Sequence, residues 1–323
     1  MRRREFITSL GAVAVCPITA RAEQPMPVVG FSRRGPSEAG ASMLAAFRKG
    51  LSETGFVEGR NIQIEYRWVD AGHPISEGAT DLVRSKVDVI ATPGNSTGAL
   101  AAKALTTTIP IVFSTSGDPV KLGLVATLNQ PGGNVTGYTD MSSEIVPKQI
   151  GLLHELLPRG MHFGVLVTPT YPYIDRVTTD AKSAAAAFGG QVDILLTGEA
   201  DIDKAFTELV QKRLDAFYVP DDARLFGQRA QILTLAARHA VPAIYFSRDW
   251  AAAGGLLSYG PPSIEQGRQA GIYTGRILKG EKPADLPVGR ATRFEFVINL
   301  ATARAIGVEV PPALLSIADE VIE

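Results

Sequence analysis

From residue 27 onward, short apolar runs alternate with longer stretches whose apolar positions recur at helical spacing. VVGFS (28–32) predicts a strand, and the next segment sets Leu44, Phe47 and Leu51 on one helical face until Gly55 stops it. NIQIEYRW alternates strictly, with Ile62, Ile64, Tyr66 and Trp68 on one side, as a half-buried strand requires. VDVIAT and IPIVFST are apolar on both faces, which suits central parallel strands covered by helices above and below. Beyond residue 150 the theme resumes with HFGVLVT, QVDILL, LDAFYV and VPAIYF, each followed by a helix-length segment. Strands alternating with helices predict an α/β chain built on parallel sheets.

One internal echo organises the chain. VDVIATPGN (87–95), a helix and IPIVFST (109–115) correspond to LDAFYVPDD (214–222), a helix and VPAIYFS (241–247). Asp88 and Asp215 open the first strands, Pro93 and Pro220 end them, and Pro110 and Pro242 introduce the second strands. The same doubly wound unit is therefore expected twice. In such sheets ligands bind beyond the carboxyl ends of the strands. Two units joined by a hinge would turn those ends toward one another and form a cleft. Its expected loops are Phe31-Ser32-Arg33, 93–97 and 114–118 from the first half, and 168–171, Pro220-Asp221-Asp222 and Ser247-Arg248-Asp249 from the second. These loops are polar and rich in hydroxyls, while the strands before them are apolar.

At FSTSGDPVKLG (113–123), Asp118 suits an N-cap and Pro119 a first helical position, so a helix is expected to open there. Asp118 is assigned to capping that helix, and the neighbouring serines to ligand contact.

The N-terminus changes the picture of where this protein works. Arg2, Arg3 and Arg4 precede an apolar stretch from Ile7 to Val15, and Ala20-Arg21-Ala22 offers a small-x-small cleavage pattern. Residues 1–22 are thus expected to be an export signal cleaved near Ala22, of Sec or twin-arginine type, with a periplasmic product. Cys16, the only cysteine, lies inside it, and its neighbours Val15 and Pro17 do not suit a lipid-bearing cysteine. Cleavage would remove four arginines and one glutamate from the 32 basic and 33 acidic side chains, leaving a net charge of −4. The mature chain would have no thiol and would be stable by burial alone. No later apolar run approaches the ~18 residues of a membrane span. The charge balance gives no footprint for nucleic acid.

One motif argues for chemistry. Gly94-Asn95-Ser96-Thr97-Gly98 fits the G-x-S-x-G elbow of serine hydrolases, between a strand and a helix. An elbow needs an acid and then a histidine at the same sheet edge. His73 precedes the serine, His154 lies in a helical pattern, and His162 and His239 stand at the amino ends of strands. The motif is therefore assigned to a tight turn and a helix cap. No metal-ligand spacing, P-loop or dinucleotide fingerprint occurs, and Pro131-Gly132-Gly133-Asn134 is a turn. The expectation is a non-enzyme without metal or cofactor; a serine-dependent α/β hydrolase using Ser96 is the alternative from another class.

Four stretches carry a resemblance: FVEGRNIQIEYRW (56–68), TTTIPIVFSTSGDPVKLGLVATLNQPGGNVTG (106–137), SYGP (258–261) with YTGRILKGEKPADLP (273–287), and FEFVINLATARAIGVEVPPALLSIADEVIE (294–323). With them the chain resembles ABC-transporter substrate-binding proteins of the tryptophan/tyrosine-type family. The resemblance implies the periplasmic binding protein type I fold, two doubly wound Rossmann-like lobes joined by a three-crossing hinge. It places lobe one at 27–140 plus 258–285 and lobe two at 141–257 plus 286–323. It implies a monomer that captures a small polar or amino-acid-like ligand by hinge closure and delivers it to an ABC permease with its cytoplasmic ATPase. A ligand-sensing domain for a partner receptor would share that fold. The implied pocket falls on Ser32, Asn95, Ser96, Thr97, Ser114, Ser116, Asn134 and Thr136 from the first half, and Tyr171, Asp221, Asp222, Ser247 and Tyr259 from the second.

Overall fold

The protein is described by a computed structural model covering residues 26–323 apart from 39, 71 and 199–200. The expected export signal and Cys16 lie outside the described residues. The first sheet contains β1 (Val28–Arg34), β2 (Gln63–Val69), β3 (Val89–Thr92), β4 (Ile111–Thr115) and β5 (Val135–Thr139). The second contains β6 (His162–Val167), β7 (Gln191–Leu196), β8 (Ala216–Val219), β9 (Ala243–Tyr245) and β10 (Leu257–Gly260). The chain then adds β11 (Gly289–Arg290) to the first sheet, and β12 (Glu295–Asn299) and β13 (Glu320–Ile322) to the second.

The strand orders are β11-β5-β4-β3-β1-β2 and β13-β12-β10-β9-β8-β6-β7. Removing the late additions leaves 2-1-3-4-5 in both, so the echoed sequence is a repeated doubly wound unit. All pairings are parallel except β10 with β12. Asp88 and Asp215 do the same work in each copy. Asp88 accepts the backbone N–H of Val28 at 2.7 Å, and Asp215 accepts those of Met161 and His162 at 2.8 and 2.9 Å. Each carboxylate thereby ties two neighbouring strands at their amino ends.

Burial on both faces explains the unbroken apolar runs. Val89, Ala91 and Val112 pack on one side of the first sheet with Phe31, Phe47 and Ile62, while Ile90, Ile111 and Phe113 pack on the other with Leu82 and Ala99. The second sheet repeats this, with Val165 and Tyr218 on one side and Leu166 and Phe217 on the other. Each fully buried side chain of this size contributes roughly 1.5–3 kcal/mol. The alternating strand behaves as its pattern requires, since Ile62, Ile64, Tyr66 and Trp68 all join the Phe31–Phe47 cluster.

The chain passes between the sheets three times: after β5, after β10 and after β11. The helix Ser263–Leu278 follows a second-sheet strand but packs on the helix Ala41–Glu53 beside the first sheet. Their backbones come so close that a Cβ on Gly50 would lie 1.9 Å from the Arg268 carbonyl oxygen. By sheet membership, residues 257–260 go with the second sheet and 289–290 with the first, whereas the resemblance set 258–260 in lobe one and 289–290 in lobe two. Both runs are short strands, and their apolar content does not say which sheet completes their hydrogen bonds.

A second difference concerns Asp118. Its carboxylate accepts the N–H groups of Val120 and Lys121 at 2.9 and 3.3 Å, as a cap does. The helix it would open is a single turn, in which the Leu122 N–H reaches the Asp118 carbonyl at 3.0 Å. Gly123, at φ +74°, ends it.

Candidate functional site

In each copy of the 2-1-3 order the connections leave the central pair in opposite directions, opening a crevice at the carboxyl ends of β1 and β3, and of β6 and β8. The two crevices face one another. Arg34 from the end of β1, Gly94 to Thr97 after β3, Thr168 and Thr170 to Tyr173 after β6, and Asp221, Asp222 and Arg224 after β8 line one cavity of about 80 Å³, joined by Ser116 after β4. A smaller cavity of about 30 Å³ shares Gly94 and Asp221 with it and is walled by Arg33, Met43, Phe226, Phe246, Asp249 and Gln266.

The first-sheet wall is a set of donors held in place by the turn after β3. Gly94 adopts φ +63°, and a Cβ there would meet the Arg33 guanidinium at 2.8 Å. The turn leads into the helix Ser96–Leu105, where the Asn95 side-chain oxygen caps the Gly98 N–H at 2.9 Å. The Asn95 amide nitrogen and the Tyr171 hydroxyl are buried in the cavity wall without a protein partner. Ser114 stands behind that wall: its hydroxyl accepts the Gly94 N–H at 2.8 Å and donates to the Gln266 carboxamide oxygen at 3.3 Å.

Tyr173 crosses from the second lobe into the first. Its hydroxyl lies 2.9 Å from that of Ser96 and also bonds that of Thr115, while Ser96 and Thr115 are 2.6 Å apart. The ring can enter because residue 117 is glycine; a Cβ there would be 2.1 Å from the Tyr173 ring. Burial pushes the Tyr173 phenol up to about 12, so it stays neutral at physiological pH. Ser96 therefore faces hydroxyls. The histidines stand elsewhere, His73 beside Glu77, His162 beside Asp193, and His154 and His239 stacked on Phe188 and Phe206.

The second-sheet wall supplies carboxylates. Asp222 is committed to structure: one oxygen accepts the Arg224 N–H at 2.9 Å, and the other accepts the Thr168 N–H at 3.2 Å and its hydroxyl at 2.5 Å. Asp221 is partly exposed at the wall yet densely surrounded by protein. Burial raises its pKa, against the downward pull of the Ser116 hydroxyl, the Arg33 charge and the Gln266 amide. Arg33 is itself buried, and that burial lowers its pKa, while Asp221 and Asp249 favour the charged form. Asp140, at the first crossing, is 1 % exposed. It accepts the Ser142 N–H at 2.9 Å and the Gln266 amide N–H. Burial, followed by the charge on Asp221, pushes the Asp140 carboxyl up to about 7.

Of the thirteen residues expected at the site, the structure brings Asn95, Ser96, Thr97, Ser116, Tyr171, Asp221 and Asp222 to the large cavity. Ser114 supports it from behind. The other five do not line either cavity. Ser32 is buried with its hydroxyl toward Gly78 on the opposite side of the strand from Arg33. Asn134 lies at the amino end of β5, where its amide donates to the carbonyls of Thr106 and Ile109 at 3.1 and 2.7 Å. Thr136 donates to the Leu286 carbonyl at 2.6 Å. Ser247 is buried ahead of the helix Arg248–Ala252, and the Tyr259 ring stacks on Phe294.

Sequence reasoning put Arg33 on an expected cleft loop but chose Ser32 from it, and it missed Arg34, Tyr173, Gln266 and Asp140. Strand alternation around Phe31 separates Arg33 from Ser32, because neighbours in a strand point to opposite faces. Gln266 had no such signal: it lies in a helix more than a hundred residues from its partner Asp140.

The chain matches the family model described as ABC transporter substrate binding protein over residues 38–322. It is similar to a tyrosine-binding protein of Clostridioides difficile strain R20291, with 28 % identity over 81 % of this chain and 76 % of that protein. Among solved structures, a conserved domain protein from Vibrio cholerae overlays with a TM-score of 0.84 at 28 % identity, covering 92 % of this chain and 99 % of that one. An ABC domain in complex with L-Trp from Streptococcus pneumonia gives 0.82 at 23 % identity over the same shares. The ligand-free, open structure of a Clostridium difficile substrate-binding protein gives 0.65 at 26 % identity, again over the same shares.

Proposed function

Because the chain belongs to the ABC transporter substrate-binding protein family, we propose that it captures an amino acid between its lobes and hands it, unaltered, to a membrane permease driven by a cytoplasmic ATPase. The observation that carries this reading is the cavity lined by all four switch-point loops, donors on one side and carboxylates on the other. An amino acid presents the matching pair, a carboxylate for Asn95, Ser96 and Thr97, and an ammonium for Asp221. Tyr171 and Tyr173, packed edge to face at 5.3 Å, form the aromatic wall. The tyrosine-binding relative supports an aromatic amino acid as the ligand.

Binding and motion are one event in this reading. A ligand that touches both lobes stabilises the closed form through contacts the open form lacks, and the permease distinguishes the two. The lobes are divided as the sheets are, with residues 140–145, 261–262 and 291–294 as the hinge. Among the described residues no helix is long and apolar enough to cross a membrane. Export through the N-terminal segment would place the protein in the periplasm as a monomer. Ser96, whose hydroxyl faces only other hydroxyls, performs no hydrolysis.

Thermal unfolding of the mature protein against a library of amino acids and aromatic acids, with each mixture analysed for product, tests the proposal. L-tyrosine or L-tryptophan is expected to raise the melting temperature and to be recovered intact. No shift with any amino acid, or turnover of a ligand, would contradict it.

A further inference from the structure

A buried side-chain donor without an acceptor is costly, so the places where a fold keeps one ask for a reason. Of the buried side-chain nitrogen and oxygen atoms that lack a hydrogen-bond partner among the described residues, two belong to residues lining the larger cleft cavity, the Asn95 amide nitrogen and the Tyr171 hydroxyl. One comes from each lobe. Asn95 follows β3 and is 6 % exposed, and Tyr171 follows β6 and is 5 % exposed.

Both groups are held as donors. The Asn95 side-chain oxygen is taken by the Gly98 N–H at 2.9 Å, which fixes the amide so that its nitrogen is the free end. Beside it opens the helix Ser96–Leu105, and the N–H groups of Ser96 and Thr97 have no acceptor within that helix. Tyr171 sits in a bonded turn, its N–H donating to the Thr168 carbonyl at 3.0 Å and its carbonyl accepting the Ile174 N–H at 3.2 Å. Its ring packs edge to face on Tyr173. Burial holds its phenol well above the ordinary range, so the hydroxyl keeps its hydrogen.

We propose that Asn95 and Tyr171 grip one carboxylate of the ligand from opposite lobes, Asn95 through its amide N–H and Tyr171 through its hydroxyl, so that this carboxylate is the group that closes the cleft. The inference rests on the amino-acid reading above and deepens it, adding a partner for the carboxylate in the second lobe. A carboxylate suits the pair because it only accepts, and its two oxygens serve two donors at once. An ammonium in that place would leave the Asn95 N–H unpaired. In an α-amino acid the amine sits one carbon away, and Asp221 lines the same cavity, near enough for its charge to act on Tyr171. The carboxylate then lies between the lobes while the ammonium meets Asp221. Arg34 and Arg224, each with an interaction of its own, add positive charge to the same lining. A ligand with the amine but no carboxylate has no group for Asn95 and Tyr171 to share, and closure loses its driving contact.

L-tyrosine and tyramine share a ring and an amine and differ in the carboxylate, so calorimetry and small-angle scattering of the mature protein with each of them test the proposal. L-tyrosine should lower the radius of gyration. Tyramine should bind at least ~30-fold more weakly and leave the radius unchanged. Tyr171→Phe and Asn95→Ala should each weaken L-tyrosine about tenfold and tyramine by less than about twofold. The double variant should fall well short of the ~100-fold loss of two independent contacts, because both act on one group. Since the Tyr171 hydroxyl has no partner in the protein, Tyr171→Phe should unfold in urea at the wild-type midpoint or above it. Unchanged L-tyrosine affinity in Tyr171→Phe, an equal loss for tyramine, or a lowered urea midpoint would overturn the inference and leave amino-acid binding standing. If neither L-tyrosine nor L-tryptophan binds, the amino-acid reading fails, and 3-(4-hydroxyphenyl)propionate, which keeps the carboxylate without the amine, decides the pair separately. Binding about tenfold weaker to Tyr171→Phe than to the wild type sustains it, and equal binding or none overturns it.

Discussion

The ends of β3 and β8 occupy the same place in the two copies of the fold, next to the first strand of each unit, yet they carry opposite chemistry. Val89–Thr92 ends in Gly94 and Asn95, a turn that presents amide and hydroxyl donors. Ala216–Val219 leads to Asp221, which presents a carboxylate to the cavity, beside Asp222, whose two oxygens are taken by Thr168 and Arg224. The repeat has kept the parts that hold a sheet together and diverged where the sheets meet. Asp88 and Asp215 at the amino ends are the same residue in the same role. The difference at the carboxyl ends matches the proposed amino acid, a guest with two unlike ends.

The largest test of that contrast is to remove the charge from one rim. Asp221→Asn is expected to weaken amino-acid binding about 100-fold by calorimetry, the cost of about 3 kcal/mol for losing a buried charged partner. Asn95→Ala on the donor rim should cost roughly tenfold, because neutral donors contribute less. Equal losses would mean that the two rims are not chemically opposed.

Next in size is the residue that joins the rims. Gly117→Ala drives a methyl into the Tyr173 ring and should reduce affinity about tenfold or more, with a less compact protein by small-angle scattering. Tyr173→Phe keeps the ring and loses the bonds to Ser96 and Thr115, so its effect should be smaller, about 0.5–1 kcal/mol in binding. If Gly117→Ala binds normally, the ring's entry into the first lobe does not matter for closure.

The amino ends give the smallest effects. Asp88→Ala and Asp215→Ala should each lower unfolding stability in urea by about 1–3 kcal/mol and leave Kd within about twofold. Asn134→Ala should do the same at about 1–2 kcal/mol, since its amide serves two backbone carbonyls far from the cavity. A large change in Kd from any of the three would break the division between holding ends and binding ends.

The same division explains what could be read in advance. Apolar runs buried on both faces, such as VDVIAT, and paired landmarks such as Asp88 and Asp215 made the repeated unit legible, because burial and strand ties are set locally. The rule that ligands sit beyond strand carboxyl ends led to Asn95, Ser96, Ser116 and Asp221. It also admitted Ser32 and Ser247, whose hydroxyls are buried away from the cavities, because residue type does not say which way a side chain points at a strand end. Asn134 and Thr136 came from family likeness alone and lie at the wrong edge or beneath the sheet. Gln266 and Asp140 were out of reach, since their meeting depends on a helix that follows one sheet and packs against the other.

Small-angle scattering of the mature protein, with and without a calorimetrically saturating aromatic amino acid, tests the central claim most directly. If the facing rims clasp a guest, the radius of gyration falls on binding and returns when the ligand is removed. An unchanged radius at verified saturation would contradict capture by closure.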